Sequence, residues 1–448
     1  MQELIFEKIL NPYFQHRDGF NGINKYVKEI DYAQKLSFEN IQKYQLKKLK
    51  RLVSCAYENT DYYRKIMDQS AIRPESIKSL EDILKLPILT KETISKNYNQ
   101  LISNNLKKKE IIKYSSGGTT GFITNFCMTK DELVPKIASI QYFDKKAGHK
   151  FGYWMSLVWP ATLDYKINKS IKSKIRNYFS TRTSALYAFE MNEKIMEEHI
   201  MLMRKYNIGF IRAFPTPLVC LSEYIKNKSI DMPNFRGIVT TGEILCEKDK
   251  TFIQEVFNCP VYNSYRTREV GLIAQECDKA EGLHVNVSNI YLESIDSREG
   301  QKQLLVTDLT NFTMPFIRYQ IGDLGEIQEQ RCSCGRWSPR IKELGGRIAD
   351  VTYSPDGKKI SSITLIPNVI HASGIKNRVQ IIQESYTEFR ILIEGEVKNN
   401  EILKIQTENM EKIYGKNIYV KHEIVNKIPF LESGKYQFIK CNIHKKVN

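Results

Sequence analysis

The sequence predicts an α/β protein that ends in a smaller, separate α+β domain. Between residues 110 and 290, short apolar runs alternate with helical patterns. Such alternation is typical of βαβ units and a mainly parallel sheet. After Gly345-Gly346-Arg347, a predicted hinge, strand patterns and one long helix follow in a different order. A chain of 448 residues is also long for a single core, which favours more than one domain.

The large N-terminal domain is predicted to span residues 1–346 and to have three parts. Residues 1–100 are mostly helical, because Leu36 to Tyr62 carries apolar residues at alternating spacings of three and four. Within this part, Asp61–Arg64 is interpreted as an aromatic turn, and Ser79 as the start of a short capped helix.

Residues 101–282 form the predicted α/β core. Its buried strands are expected at 156–160, 208–212, 237–241 and 259–262, and its helices at 191–206, 217–227 and 247–257. Ligands bind beyond the carboxyl ends of strands in such sheets. The loops expected at these ends are 213–217, 241–243 and 263–269.

Residues 283–346 are predicted to form a distorted β subdomain, because their strand patterns alternate with turns. The mobile C-terminal domain is assigned to residues 347–448. Its predicted elements are a hairpin on Asp356-Gly357, a segment at 364–371, strands at 378–383, 388–394 and 418–424, and a helix at 399–414.

Composition narrows the class of protein. No apolar run approaches the roughly 20 residues that span a bilayer, and the first residues lack the apolar core of a signal peptide, so we expect a cytoplasmic protein. The nine cysteines are an odd number and do not indicate a disulfide framework. The net charge of +16 suits an anionic ligand such as a nucleotide, a nucleic acid or an acidic surface. The lysines are dispersed without interleaved aromatic residues, however, which favours solvated helix faces over nucleic-acid binding.

The segment Tyr114–Thr124 contains three glycines and five Ser or Thr residues. Glycines allow the backbone to approach a ligand, and successive N–H groups in a tight turn bind anions. A loop that holds a polyphosphate is therefore one interpretation, and a flexible surface turn is the other. The segment is not a Walker A loop, because no lysine follows Gly121.

Further motifs follow this loop in a fixed order, and together they carry a resemblance. They are Asn263–Glu269, Phe316–Asp323, Gly346-Arg347 and Glu432–Lys435, with Asp61–Arg64 and Leu86–Lys91 near the N-terminus. In their order and spacing the chain resembles the adenylate-forming superfamily of acyl–CoA synthetases, luciferases and peptide-synthetase adenylation domains. It is most similar to the branch of phenylacetate–CoA ligases and CapK-like capsule-biosynthesis proteins, over nearly its whole length.

The resemblance implies roles for the residues that match. The predicted ATP-phosphate loop comprises Ser116, Gly117, Gly118, Thr119, Thr120 and Gly121. The other predicted ATP-binding residues are Gly242 and Glu243 at the adenine pocket, Tyr265 as the stacking aromatic, Arg266 beside the nucleotide or substrate, and Asp323 and Arg347 at the ribose. Glu269 would hold Mg²⁺, and Lys435 would enter the site for the adenylation step.

Several positions depart from the family pattern. Arg266 and Arg268 replace small residues, which indicates an anionic or polar substrate or added phosphate contacts. Ile123 stands where proline is common and Thr124 where lysine is common. The hinge reads Arg347-Ile-Ala-Asp350, so an acid is displaced or missing at one hinge position. Lys435 follows Ile428-Pro429-Phe430 without the usual arginine.

A second set of residues suggests a metal site. Cys277, His284, Cys332 and Cys334 form a Cys₃His set, which suits a closed tetrahedral Zn²⁺ site of structural type. Members of the resembled branch often carry such a site. The alternative is a group of unrelated reduced cysteines with a solvent-facing histidine.

The expected reaction is ATP-dependent activation of a carboxylic acid to an acyl-adenylate, with transfer to an acceptor. Coenzyme A as acceptor would make the protein an acyl–CoA ligase of the phenylacetate type. An amine or a sugar would make it an amide- or ester-forming enzyme, for instance in surface-polysaccharide synthesis. An inactive adenylation fold that binds nucleotide or nucleic acid is the non-enzymatic alternative.

Overall fold

The computed structural model divides the chain into two compact units. The first comprises Met1–Ser294, Leu304–Ile321 and Glu326–Lys342, and the second comprises Ile295–Gln303, Gly322–Gly325 and Glu343–Asn448. The structure describes residues 6–115, 124–159, 177–187, 191–243, 245, 247–296, 302–347, 351–357, 359–361, 365, 369–370, 373, 375, 377–397, 399–428 and 438–443.

Helices dominate the first hundred residues, as predicted. The α-helices there are α1 (Asn11–Arg17), α2 (Ile23–Ala33), α3 (Phe38–Asn59), α4 (Asp61–Gln69), α5 (Lys91–Lys96) and α6 (Tyr98–Leu101). A π-helical turn covers Phe6–Leu10, and 3₁₀ turns cover Pro74–Ser76, Glu81–Lys85 and, slightly later, Lys108–Glu110. Buried glutamines attach this helical part to strands of the sheet, since Gln34 Nε2 and Gln45 Nε2 donate to the carbonyls of Val285 and Ile290 at 2.8 Å.

The predicted aromatic turn at Asp61–Arg64 is wrong, because these residues form the first turn of α4. Thr60 is extended and caps the helix, with its Oγ1 accepting from the Tyr63 amide at 3.3 Å. A threonine N-cap satisfies one of the amides that a helix start leaves without a partner. The aromatic side chains face the core as a result, and Tyr63 is fully buried.

The α/β prediction is confirmed by a large sheet. Its eleven strands within the described residues are β3 (Met155–Trp159), β4 (Thr183–Tyr187), β5 (Phe210–Ala213), β6 (Gly237–Thr241), β7 (Val261–Thr267), β8 (Gly271–Glu276), β9 (Leu283–Val285), β10 (Ile290–Asp296), β11 (Lys302–Asp308), β12 (Tyr319–Gln328) and β13 (Arg340–Arg347). Their order is β10-β11-β12-β13-β9-β8-β7-β6-β5-β3-β4. Strands β4, β3, β5, β6 and β7 pair in parallel, as alternation with helices requires.

Helices cover both faces of the parallel strands. On one face, α8 (Glu193–Lys205), α9 (Pro215–Asn227) and α10 (Glu247–Phe257) pack on apolar side chains such as Ile211 and Ile238. On the other face, the end of α7 (Lys130–Lys146) is followed by Ala147, which packs against Phe210 and Val239. Burial on both faces explains why the sequence of these strands is continuously apolar.

The strands predicted as a β subdomain continue the same sheet instead of forming a separate one. Strand β9 pairs in antiparallel fashion with both β8 and β13, and this links the two halves. The predicted hinge residues Gly345-Gly346-Arg347 form the end of β13, while 348–350 lie outside the described residues. Before these strands in the sequence, β1 (Ile112–Ser115) and β2 (Asn125–Met128) form a separate two-stranded antiparallel hairpin.

The second unit has its own sheet and core. Its hairpin, β14 (Val351–Tyr353) and β15 (Lys359–Ser361), confirms the turn predicted at Asp356-Gly357, where Gly357 has φ +82°. A four-stranded sheet of order β18-β17-β16-β19 packs against α11 (Glu401–Tyr414). Its strands are β16 (Val379–Gln383), β17 (Glu388–Glu394), β18 (Tyr419–Val425) and β19 (Ile439–Cys441).

Strands β16, β17 and β18 and helix α11 also agree with the sequence patterns, whereas β19 was not predicted. The segment predicted at 364–371 lies mostly outside the described residues. Among the described residues of the whole chain, no helix has the length and apolar character needed to cross a membrane.

Candidate active site and metal centre

The carboxyl ends of β5, β6 and β7 lie side by side and form the candidate active site. Parallel pairing brings Thr240 beside Ala213 and Thr241 beside Ser264. Gly242 follows β6 with φ +86°, and a Cβ there would lie 2.4 Å from the Phe214 ring. Only glycine therefore fits at this strand end, which brings the backbone close to whatever occupies the site.

Glu243 ties two of the strand-end segments together. Its Oε2 accepts from the Thr216 amide at 3.0 Å, at the start of α9. A carboxylate at this position satisfies an amide of the first helical turn and interacts favourably with the helix dipole. Part of the predicted loop 213–217 is thus helix, since α9 begins at Pro215.

Tyr265, the predicted adenine-stacking residue, lies on β7 and is buried. The predicted loop 263–269 is mostly strand, because β7 extends to Thr267. The pairing of β7 with β8 shifts register between Tyr265 and Arg266, and such irregularities redirect side chains near functional sites. The sequence pattern missed this extension because the residues from Asn263 onward are polar.

Arg266 is bound to protein groups of α7, β7 and β8, and its predicted place beside the nucleotide or substrate stays a prediction. Its Nε donates to Ser264 Oγ at 2.8 Å, and its Nη2 lies 3.2 Å from Asp144 Oδ1 and 3.3 Å from Gln275 Oε1. Burial lowers the pKa of Arg266 to about 9. Arg266 thus belongs to a cluster of charged side chains on the α7 side of the sheet.

Arg268, by contrast, is exposed and turns toward the predicted phosphate loop. Its Nη1 lies 3.5 Å from the carbonyl oxygen of Ser115, the last residue of β1. The hairpin β1–β2 pairs Ser115 with Asn125, and the two side chains bond at 2.7 Å. The ends of the loop are therefore held together, while Ser116, Gly117, Gly118, Thr119, Thr120 and Gly121 lie outside the described residues.

Glu269, the predicted Mg²⁺ ligand, is buried and receives a hydrogen bond from a residue of a distant motif. The hydroxyl of Tyr319 lies 3.4 Å from Glu269 Oε1. Arg318 anchors this tyrosine, since its Nε donates to Glu293 at 3.0 Å and its Nη1 to the Leu86 carbonyl at 2.7 Å. Arg318 has φ +51°, an uncommon conformation for a residue with a side chain.

The remaining predicted site residues lie in or near the second unit. Asp323 is on β12, within the segment Gly322–Gly325, and follows Gly322 with φ +94°. Arg347 is the last residue of β13. Lys435 lies outside the described residues. Their predicted roles at the ribose and in adenylation stay predictions.

The four predicted metal ligands converge, although the two pairs are far apart in sequence. One ligand atom from each of Cys277, His284, Cys332 and Cys334 lies within 4.8 Å of the other three. The Sγ atoms of Cys277 and Cys332 are 3.9 Å apart, and Cys334 Sγ lies 3.4 Å from His284 Nε2. Three thiols and one imidazole on a tight centre fit Zn²⁺ in tetrahedral coordination.

Neighbouring groups orient the imidazole of His284 and shift the pKa values of His284 and Cys334 toward their metal-binding protonation states. Ser338 Oγ lies 2.7 Å from His284 Nδ1, which leaves Nε2 directed at the centre. Burial lowers the pKa of His284 to about 3, so its imidazole is neutral at pH 7. Burial acts to raise the pKa of Cys334, but hydrogen bonds from Arg336 outweigh it and lower the pKa, which favours the thiolate.

Sequence reasoning missed three residues near the strand ends. Asp144 on α7, Arg212 on β5 and Tyr319 on β12 all have polar contacts in or beside the candidate site. Arg212 carried a usable signal, because it ends a predicted buried strand where charge is otherwise uncommon. Tyr319 lies within the motif Phe316–Asp323, which gave it a signal, whereas Asp144 carried none because a helix aspartate is ordinary.

Known proteins with similar sequences include CapK and phenylacetate-coenzyme A ligases. Residues 352–442 match the family model of the CapK C-terminal domain. Over 392 residues the chain is 24% identical to Protein CapK of Staphylococcus aureus, covering 86% of each. It is 23% identical over 326 residues to a phenylacetate-coenzyme A ligase of Thermus thermophilus, covering 70% of this chain and 72% of the relative.

A solved structure extends the likeness to the fold of nearly the whole chain. 2-Hydroxyisobutyryl-CoA ligase, crystallised in the postadenylation state with 2-HIB-AMP, superimposes with a TM-score of 0.73 at 18% identity. The match covers 92% of this chain and 91% of the other. The chain therefore shares the fold of this ligase. In sequence it is similar to CapK and to the phenylacetate–CoA ligases.

Proposed function

We propose that this protein activates a carboxylic acid with ATP and then transfers the acyl group to an acceptor. The observation that supports this best is the buried Glu269 carboxylate, which receives a hydrogen bond from Tyr319 beyond the end of β7. It follows Arg268, which reaches the residue before the predicted phosphate loop. The relatives named phenylacetate-coenzyme A ligase add support from sequence.

In the first half-reaction a carboxylate oxygen of the acid attacks the α-phosphorus of ATP. A C(O)–O–P bond forms, the bond from the α-phosphorus to the bridging oxygen breaks, and its electron pair leaves with pyrophosphate. No general base is needed, because the acid is ionised near neutral pH. Catalysis is then positioning and electrostatic stabilisation of charge on phosphate oxygens.

Each proposed role follows from residue chemistry. Glu269 would hold Mg²⁺, which prefers oxygen ligands and would neutralise phosphate charge when bound. Tyr265 would stack on adenine beside the Gly242–Glu243 backbone, and Asp323 and Arg347 would contact the ribose. Lys435 would supply a positive charge in the adenylation step, and the residues 116–121 would bind the β- and γ-phosphates.

The metal centre is proposed to bind a structural Zn²⁺ ion. Its four protein ligands fill a tetrahedral shell and leave no open position, so the ion would take no part in the reaction. The centre would join the end of β8 to the segment between β12 and β13, because Cys277 follows β8 and Cys332 and Cys334 lie in that segment. It would thereby hold Glu269, near the start of β8, in place.

In the second half-reaction the acceptor attacks the acyl carbon and AMP leaves. Coenzyme A is one proposed acceptor, supported by the names of the phenylacetate-coenzyme A ligases. An amine or a sugar is the other, suggested by Arg266 and Arg268 in place of small residues.

Mass spectrometry of the products separates these possibilities. The enzyme is incubated with ATP, Mg²⁺ and a panel of acids, first alone and then with coenzyme A or with amines and amino sugars. Acyl-adenylate without an acceptor supports the activation step. A thioester formed only with coenzyme A would contradict the amide reading, and absence of AMP release with every acid would contradict the proposed activity.

A further inference from the structure

Two arginines and one aspartate form a buried charged cluster on the α7 side of the sheet. Asp144 on α7 forms ion pairs with Arg212 on β5, through Oδ2, and with Arg266 on β7, through Oδ1. Each carboxylate oxygen thus binds one guanidinium group. Among the described residues, the other hydrogen-bond partners of Arg266 are the neutral groups of Ser264 and Gln275. The cluster carries two positive charges against one negative charge.

The excess charge lies at the strand ends where the acid would bind. Arg212 precedes Ala213 at the end of β5, and Arg266 follows Tyr265 near the end of β7. Thr241, the last residue of β6, shares their face of the sheet, because it pairs in register with Ser264, whose hydroxyl bonds Arg266. In parallel sheets this edge is where ligands bind.

One polar atom of the cluster and one of the neighbouring Thr241 have no hydrogen-bond partner within the part of the chain that the structure describes. Among the described residues, neither Arg212 Nε nor Thr241 Oγ1 has a hydrogen-bond partner, and Thr241 is only 2% exposed. Buried donors without partners are costly, so native proteins rarely retain them without a ligand or a function.

The cluster is also open on one side. The side chains of Arg212 and Arg266 keep 16% and 11% of their surface exposed, whereas Asp144 keeps 1%. Burial and the neighbouring Arg266 hold the pKa of Arg212 below its ordinary value, a sign that its positive charge is poorly compensated. An entering anion would supply the missing charge and accept from the donors that remain.

From these observations we infer that Arg212 and Arg266 bind a second anionic group of the acid substrate, remote from the carboxylate that is activated. The inference rests on the proposed function and specifies its substrate class as dicarboxylic or phosphorylated carboxylic acids. Arg212 and Arg266 determine specificity, and Asp144 positions them. Guanidinium groups suit this role, since they bind carboxylate or phosphate through paired hydrogen bonds.

The first test uses the unmodified enzyme, so that it does not depend on how variants fold. Acid-dependent ATP–pyrophosphate exchange is measured with succinate, glutarate and adipate, each against its monomethyl ester, and with phosphoglycerate. We expect kcat/KM for at least one dianionic acid to exceed that of its singly charged counterpart by about tenfold to a hundredfold. Preference for a dicarboxylate or for phosphoglycerate identifies the second anionic group. Equal or better activation of the monoesters would overturn the inference while leaving the proposed function intact.

The second test removes one charge. Arg212→Gln should abolish the preference for the dianionic acid, and Arg212→Lys should retain part of it. Arg204→Gln is the matched control, because Arg204 is a helix residue that bonds the Asp231 carbonyl far from these strand ends. An Arg212→Gln variant that melts normally and keeps the full preference would refute the assignment.

A binding measurement separates failure of the inference from failure of the proposed function. If no acid supports exchange, the proposed function fails, and the anion site is judged by calorimetric titration with succinate and with phosphoglycerate. Binding to the unmodified enzyme that Arg212→Gln weakens at least tenfold would still support the site. No binding of either compound would overturn it.

Discussion

The hydroxyl of Tyr319 lies 3.4 Å from Oε1 of Glu269 and joins two motifs that are 50 residues apart. Glu269 follows β7 and is the proposed Mg²⁺ ligand, while Tyr319 begins β12 next to the anchored Arg318. A carboxylate that must present one oxygen to a metal benefits from a partner on the other. This contact brings the two motifs together at the proposed Mg²⁺ ligand.

Replacement of Tyr319 by phenylalanine should weaken Mg²⁺ use with little effect on folding. Loss of one hydrogen bond to a carboxylate is worth about 1–2 kcal/mol, so the KM for MgATP should rise by about fivefold to thirtyfold. The measurement is a titration of MgATP in the exchange assay. Tyr57→Phe is the control, since Tyr57 bonds Asp68 on the exposed surface. An unchanged KM in Tyr319→Phe would show that Glu269 needs no such support.

If the four ligands bind Zn²⁺, replacing one of them should remove the metal. The purified protein should contain about one Zn²⁺ per chain, and Cys332→Ser should lose most of it and melt at a lower temperature. Cys220→Ser removes a cysteine outside the cluster and should keep the zinc. Elemental analysis by mass spectrometry reads the content directly. A zinc-free protein of unchanged stability after chelation would refute the site.

His199 should make folding stability depend on pH. Its Nε2 lies 2.8 Å from Ser156 Oγ, which attaches α8 to β3, and burial lowers its pKa to about 3. Below the unfolded pKa of 6.5 the unfolded chain binds a proton that the folded protein excludes. The free energy of unfolding should therefore fall as the pH drops from about 6.5 toward 3, by up to about 1.4 kcal/mol per pH unit from this group.

Denaturant unfolding at several pH values measures how the free energy of unfolding depends on pH and so tests the contribution of His199. His199→Gln should flatten the acid side of the stability profile, whereas the exposed His16→Gln should leave it unchanged. A His199→Gln profile as steep as that of the unmodified protein would assign the acid sensitivity to other groups.

Much of the fold follows from sequence periodicity, and the errors have physical causes. The strands 156–160, 208–212 and 237–241 were found because burial on both faces makes them apolar. Continuity of β9 with both halves of the sheet could not be inferred, because strand pairing over long separations leaves no local pattern. Apolar spacing does not predict the helix start at Asp61, because that start depends on a polar cap, Thr60, which lies outside the apolar pattern.

In the candidate site, too, some features could be predicted from the sequence and others could not. The four metal ligands are predicted from their residue types together with the resemblance, because the two pairs lie far apart in sequence and spacing alone leaves unrelated cysteines open. Their ligand atoms lie within 4.8 Å of one another in the structure. The place of Arg266 beside the nucleotide or substrate stays a prediction, whereas its protein partners Asp144 and Gln275, on α7 and β8, could not be inferred from sequence. Which side of a strand a side chain faces depends on the register shift after Tyr265, and sequence does not reveal that shift.

The most direct test of adenylate formation compares the unmodified protein with Lys435→Ala in acid-dependent ATP–pyrophosphate exchange. We expect exchange in the unmodified protein with at least one acid, and a loss of at least about a hundredfold in the variant, because the proposed role of Lys435 is to stabilise charge in the adenylation step. The melting temperature of the variant is measured alongside and should be unchanged. Full exchange in Lys435→Ala, or none in the unmodified protein with any acid, would contradict the account.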